Sequence, residues 1–562
     1  MTFKDFKYER PDMDALSSAF KEALDAFENA KDPDAQEQAL DEINALRRRF
    51  NTMKTLAHIR HSIDTKDAFY EKEKQFFDEN GPLFSSLNHR FYQALSRASF
   101  KESLKERKGN LLFQKAEQSL KTFSDDIVED LQRENSLASE HNKILAGAEI
   151  EFNGGTYNLS EMAPFTQSPE RDTRRRASKA VSEFFTSQEE TLDKLYDDLV
   201  NVRVKIAEKL GYDSFIPLAY NRLGRSDYGP EDVKAFRERV KRYIVPLSEK
   251  LAKQKQKRLG LKAMKHYDHA LEFKSGNPTP KKDSDALLDE ADRMYEDMSE
   301  ETDHFFSFMR EKGLMDLKTK KGKAGGGFCT FIPDYRAPFI FANFNGTKHD
   351  VDVLTHEAGH AFQMFMSRDK DVPEYLSSSP DIMEIHSMSM EFFAWPYAER
   401  FFGEDTEKYK FAHLSSALRL IAYGAAIDEF QHDVFEDPGM TPEARKALWR
   451  EKERTYMPYI DYEDDPFLER GGQWHKIMHI FVIPFYMIDY TLAQTCAFQY
   501  LIRRLEDSQK AWESYLELCK AGGERPFKAL LKLAGLKSPF EGALEETIPS
   551  IEDMLEKIDD TL

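Results

Sequence analysis

A chain of 562 residues is too long for one ordinary hydrophobic core, so two domains or one bilobed body are expected. Charged residues make up 32% and aromatic residues 12%, which excludes gross disorder, and a net charge of −20 disfavours nucleic acid or an anionic membrane as a partner. Cys329, Cys496 and Cys519 are too few and too far apart for a disulfide framework, no run reaches the roughly 18 apolar residues of a membrane span, and Met1 to Arg10 lack a secretion signal, so the cytoplasm is the expected location.

Helical periodicity opens the chain. Leu16, Phe20, Leu24 and Phe27 keep it, as do Leu40, Ile43, Leu46 and Phe50, and charged helices are predicted over 69–79, 91–104 and 112–131. Residues 149–159 alternate about Asn153-Gly154, a strong hairpin signal. Gln167-Ser168-Pro169 then breaks the chain before a helix holding Arg171, Arg174, Arg175 and Arg176, and the domain boundary is placed near residue 190, giving 1–190 and 191–562.

Helices resume over 189–209 and 233–251, the first ending at Gly211. The basic stretch 250–265 lacks interleaved aromatics and reads as a solvated helix, and His266 and His269 have no third metal ligand nearby. From Gly325 the pattern changes to two β-type runs, 328–332 and 339–344, bounded by turn residues. Gly326, Gly327, Phe328, Ala342, Asn343 and Phe344 are the candidate substrate contacts, because a strand here can pair main chain to main chain with an extended peptide and glycines let it approach.

The next helix carries His356-Glu357-Ala358-Gly359-His360, an H-E-x-x-H sequence on an apolar pattern formed by Leu354, Ala358, Ala361, Phe362 and Phe365. The two imidazoles point within roughly 40° of each other, so both can hold one metal ion with Glu357 beside it. Zinc suits this donor type, and a catalytic zinc site takes three protein ligands. A metzincin would place glycine and histidine where Gln363 and Met366 stand, which excludes that class. The third ligand is sought in 381–395, where Glu384 and Glu391 lie two helical turns apart on one face and His386 lies between them; spacing leaves open which one binds metal.

Helices are predicted over 413–435 and 442–456. Then His479 precedes Pro484, and Tyr486 and Tyr490 share a helix face beyond it. The tail from Arg525 shows two short helical patterns broken at Ser538-Pro539.

H-E-A-G-H, followed after 23 intervening residues by Glu384 of M-E-I-H-S-M-S-M-E-F-F, resembles the thimet oligopeptidase and oligoendopeptidase F family of zinc peptidases, in particular its bacterial oligoendopeptidase F or Pz-peptidase branch. The glycine-rich strands at 325–346 and the His479 to Tyr490 segment are similar as well. The resemblance implies a mainly α fold with two helical lobes around a deep substrate channel, and a small sheet beside the H-E-x-x-H helix. It implies one catalytic zinc ion with Glu384 as third ligand and Glu391 behind a ligating imidazole, Glu357 as general base, and His479, Tyr486 and Tyr490 as stabilisers of the oxyanion. The expected reaction is internal cleavage of short peptides. An aminopeptidase, or a metal-stabilised helical binding protein without catalysis, are the other readings; the carboxylate at Glu357 speaks against the last, since a structural site needs no base.

Overall fold

The structure, a computed structural model, describes residues 1–376, 378–463 and 465–557. It is mainly α-helical with two small sheets, as the sequence predicts. The first 146 residues form helices Met13–Glu28, Pro33–Ile63, Ala68–Ser96, Lys101–Lys108, Leu111–Leu120 and Val128–Ala146. Asp12, Asp32 and Asp67 cap three of them by accepting backbone N–H bonds, which satisfies donors that a helix start leaves open. The helix 68–96 runs straight through Gly81-Pro82, where the sequence suggests two separate helices. Phe77, Phe84, Leu87 and Phe91 keep one buried stripe across the proline, and Phe84 stacks on Phe50 of the preceding helix at 3.9 Å, so packing overrides the local break.

The hairpin forms as expected: β1 (Ile150–Phe152) pairs antiparallel with β2 (Gly155–Tyr157), and Asn153 and Gly154 take φ values of 48° and 82°, the two positive angles a tight hairpin turn requires. A second sheet has the order β3-β5-β4, with β3 at Met315–Lys318, β4 at Phe328–Ile332 and β5 at Ala337–Phe344. β5 is central, antiparallel to β4 and parallel to β3. β3 is absent from the sequence reading because four residues, two of them charged, give too short an alternation to register.

The H-E-x-x-H helix, His349–Ser367, leaves β5 through a turn at Gly346 and packs back on β5 and β4. Asp350 fixes that turn by accepting from the Asn345 and Gly346 amides at 2.8 and 2.9 Å. The helix is buried on nearly every face, against the sheet and against Pro380–Phe393, which in turn packs on Met487–Glu506. One apolar core runs from Phe3 to Leu555, and a small satellite under the hairpin holds Ile150, Phe152, Met162 and Ala177.

The basic stretch after residue 250 is not wholly solvated. Lys255 is 1% exposed and donates to Glu272 at 2.5 Å, and burial pushes its ammonium down to about 7. Arg419 reaches the same carboxylate, so a buried ionic cluster replaces the expected wet face. Among the described residues no helix is long and apolar enough to cross a membrane.

Candidate metal centre and surrounding site

His356 and His360 stand one turn apart on their helix, and the helix Pro380–Phe393 crosses it at Gly359. A methyl group at Gly359 would lie 2.6 Å from the Ser387 Cα and 2.7 Å from the His386 carbonyl oxygen, so only glycine permits this contact. The close crossing delivers Glu384. Its Oε2 lies 3.1 Å from His356 Nε2 and 3.4 Å from His360 Nε2, and the three donor atoms fall within 4.8 Å of one another. Ser387 Oγ donates to the same oxygen at 2.9 Å, and the Tyr486 hydroxyl donates to Oε1 at 2.5 Å. Burial by itself would raise the Glu384 carboxyl, but His360 and His356 hold it well below the ordinary carboxylate range.

Glu391, two turns further on, serves the other side of His356. Its Oε1 lies 2.7 Å from His356 Nδ1, and its Oε2 lies 2.6 Å from His413 Nε2. His386 turns away from this group, with Nδ1 3.5 Å from the Cys519 sulfur. Two imidazole nitrogens and a carboxylate oxygen meet at 3.1 and 3.4 Å, a donor set that could hold a cation between them. A tetrahedral zinc ion with bonds of about 2.0–2.1 Å would separate its ligand atoms by roughly 3.3 Å, so this donor set fits zinc.

Glu357 points to the sheet side. A Cβ on Gly327 would come within 3.3 Å of its Oε1, while Oε2 is buried without a hydrogen-bond partner. Burial raises this carboxyl above the ordinary range, against the pull of the two histidines. Gly326, Gly327 and Phe328 lie at the start of β4, whose outer edge pairs with no strand among the described residues. Ala342, Asn343 and Phe344 lie on the central strand instead. Ala342 and Phe344 are buried, and Asn343 Nδ2 donates to the carbonyls of Ala324 and Gly326 at 2.8 Å each, so Asn343 ties the glycine loop to the central strand.

His479 sits in the short helix Met478–Val482, and Tyr490 in Met487–Glu506, beyond the break at Pro484. Two buried arginines hold the turn between them. Arg203 donates to the carbonyls of Ile480 and Phe481, and Arg225 donates to the Phe485 carbonyl at 2.7 Å and to Asp489 at 2.8 Å. Phe485 takes a φ of 65°, a conformation those bonds help to sustain. The result brings the Tyr490 hydroxyl to 3.5 Å from His479 Nε2 and its ring to 6.3 Å from that of His356.

The model described as peptidase family M3 matches residues 165–549. The chain belongs to peptidase family M3. A further model, the peptidase M3 N-terminal domain, matches residues 3–123. Among solved structures, PZ peptidase A with an inhibitor is 49% identical with a TM-score of 0.99, each chain covered over 100% of its length. A protein provisionally assigned as an oligoendopeptidase F is 52% identical, again with a TM-score of 0.99 and 100% coverage of both chains. Oligopeptidase PepF of Bacillus subtilis is 22% identical over 263 residues, a match spanning 44% of this chain and 38% of that protein.

Within this M3 fold the candidate metal cluster draws together His356, His360 and Glu384, all singled out in the sequence. Sequence reasoning passed over Trp395, His413, Ser387, Arg203 and Arg225. Ser387 reaches Glu384 from three residues further along the same helix, and the other four are brought in by contacts distant in sequence.

Proposed function

We propose that this M3 peptidase is a zinc-dependent oligoendopeptidase acting on internal bonds of short peptides. The observation that carries the reading is the convergence of His356, His360 and Glu384 beside Glu357, a buried carboxylate with one oxygen left without a partner. The three first-named residues would hold one zinc ion, which when bound supplies Lewis-acid activation of water and of the scissile carbonyl.

The chain's own groups do the rest. Glu357 Oε2 takes the proton of the attacking water and returns it to the departing amine nitrogen; burial raises its carboxyl, which strengthens it as a base. Tyr490 and His479 donate hydrogen bonds to the carbonyl oxygen as negative charge gathers there, and one such donor is typically worth about 10²–10³ in rate. Tyr486 holds Glu384 Oε1, so that Oε2 faces the histidines, and Glu391 fixes His356. An extended peptide pairs with the free edge of β4, where Gly326 and Gly327 leave room for its backbone beside Glu357. Two helical lobes flanking a deep channel would restrict entry to short peptides, and we place the enzyme in the cytoplasm.

The test is cleavage of a peptide library blocked at both ends, read by mass spectrometry with and without a zinc chelator. Internal cuts that vanish on chelation and return with added zinc, while the helical circular dichroism persists, are expected. Cleavage confined to free termini would point to an exopeptidase, and unfolding on chelation would point to a structural ion.

A further inference from the structure

The metal-side chemistry of His356 depends on which of its ring nitrogens carries a proton, and a chain of three side chains leads from that ring into the apolar interior. Trp395 Nε1 lies 2.9 Å from His413 Nδ1, His413 Nε2 lies 2.6 Å from Glu391 Oε2, and Glu391 Oε1 lies 2.7 Å from His356 Nδ1. An indole N–H can only donate. His413 Nδ1 must therefore accept, which puts the ring's proton on Nε2, where it is donated to Glu391. A carboxylate accepting at one oxygen accepts at the other from the His356 Nδ1–H, and in a neutral ring His356 Nε2 is then left with a bare lone pair facing His360 and Glu384.

We propose that Trp395 and His413 are positioning residues for the metal site: the donor-only indole fixes His413 with its proton on Nε2, His413 thereby holds the Glu391 carboxylate in place, and Glu391, which can only accept, keeps His356 in the tautomer that can bind a metal ion. His413 is 4% exposed and Trp395 7%. The His413 ring lies parallel to that of Tyr409, with an interplanar angle of 4°, and Phe392 packs against both His413 and Trp395. The charged and titratable side chains in contact with His413 are Glu391 and Tyr409. Remove the indole N–H and His413 Nδ1 is a buried acceptor with nothing to accept, which favours moving the proton to it and breaks the bond to Glu391.

The inference rests on the metal reading above, so its test needs a readout that does not depend on peptide cleavage. Ring-nitrogen correlation spectra of the ¹⁵N-histidine-labelled full chain distinguish the two neutral tautomers from imidazolium. In both the metal-free and the zinc-loaded protein, His413 is expected to carry its proton on Nε2 alone, its signals being assigned by their loss in His413→Gln. In Trp395→Phe that single tautomer should be lost, and the zinc Kd, measured by competition with a chromophoric chelator, should rise by roughly tenfold, the low end of outer-layer effects on metal sites. His413→Gln, whose amide can still donate to Glu391, should weaken zinc less than His413→Leu. A proton on His413 Nδ1 in the unaltered chain, or a Trp395→Phe protein that binds zinc as tightly as the parent, overturns the proposal. A merely structural role would lower the melting temperature of the metal-free variant and leave its zinc Kd alone. Should Trp395→Phe not fold, the tautomer in the unaltered protein still decides. Absence of zinc binding by the unaltered chain would refute the metal reading instead, and the His413 tautomer of the metal-free chain remains readable in that case.

Discussion

Gly359 and Ser387 hold the two helices of the candidate metal centre in backbone contact, with 2.6 Å between the Ser387 Cα and the place a side chain at 359 would begin. That closeness is what lets Glu384, less than one turn before Ser387, reach both histidines. Gly359→Ala forces the helices apart. The expected outcome is a loss of about 1–3 kcal/mol of stability from overpacking, together with at least a tenfold rise in zinc Kd because Glu384 is carried off with its helix. Thermal unfolding of the metal-free chain and a zinc titration measure the two effects separately.

Tyr486 and Tyr490 should divide the labour between binding metal and stabilising charge. Tyr486 donates to Glu384 Oε1 at 2.5 Å, whereas Tyr490 stands beside His479 and His356. Tyr490→Phe is expected to lower kcat by about 10²–10³ with little change in KM and none in zinc content. Tyr486→Phe is expected to weaken zinc binding by roughly tenfold. Steady-state kinetics at saturating zinc, set beside zinc titrations, distinguish the pair; identical behaviour of both variants would contradict the division.

Asn343 supports the glycine loop from the central strand through bonds to the carbonyls of Ala324 and Gly326. Asn343→Ala frees that loop, so KM for a short peptide should rise several-fold, by about 1 kcal/mol of lost order, while kcat at saturation changes less. An unchanged KM would remove the loop from substrate binding.

Stability should fall as pH rises through the neutral range, and Glu453 is one identifiable cause. Its carboxyl is buried, accepts from the Tyr462 hydroxyl, and is pushed by burial up to about 7. An unfolded glutamate titrates near pH 4.3. Between those values the folded chain keeps a proton that the unfolded chain has lost, so stability declines as pH rises from about 4 to about 7 and levels off above. Glu453→Gln removes the titration while keeping an acceptor for Tyr462. Denaturant unfolding of both proteins at pH 5 and pH 8 should show a parent-specific drop of up to about 3 kcal/mol.

What could be read from the sequence was whatever local geometry dictates. His356, Glu357 and His360 share a helix, and Asn153-Gly154 makes its hairpin turn, because three or four residues settle each case. Glu384 and Glu391 were visible as a pair but not as individuals. Their seven-residue spacing puts both on the face that meets His356, and only the crossing at Gly359 determines that Glu384 lies on the Nε2 side and Glu391 on the Nδ1 side. His386, a contender by spacing, points to Cys519. His413 and Trp395 carry no signal at all, since hydrogen bonds between residues 22 apart (Glu391 and His413) and 18 apart (Trp395 and His413) leave no periodic trace. Lys255 misled for the opposite reason: a basic helix face looks solvated until Glu272 and Arg419 are seen to close over it.

In the proposed mechanism Glu357 moves the proton while His356, His360 and Glu384 hold the metal, and Glu357→Gln separates the two jobs. Zinc content and peptide turnover should be measured on the same preparation of this variant. We expect about one zinc ion per chain, as in the parent, with kcat lowered by about 10²–10⁴. Turnover close to that of the parent with zinc still bound would contradict the assignment of Glu357 and the peptidase mechanism built on it.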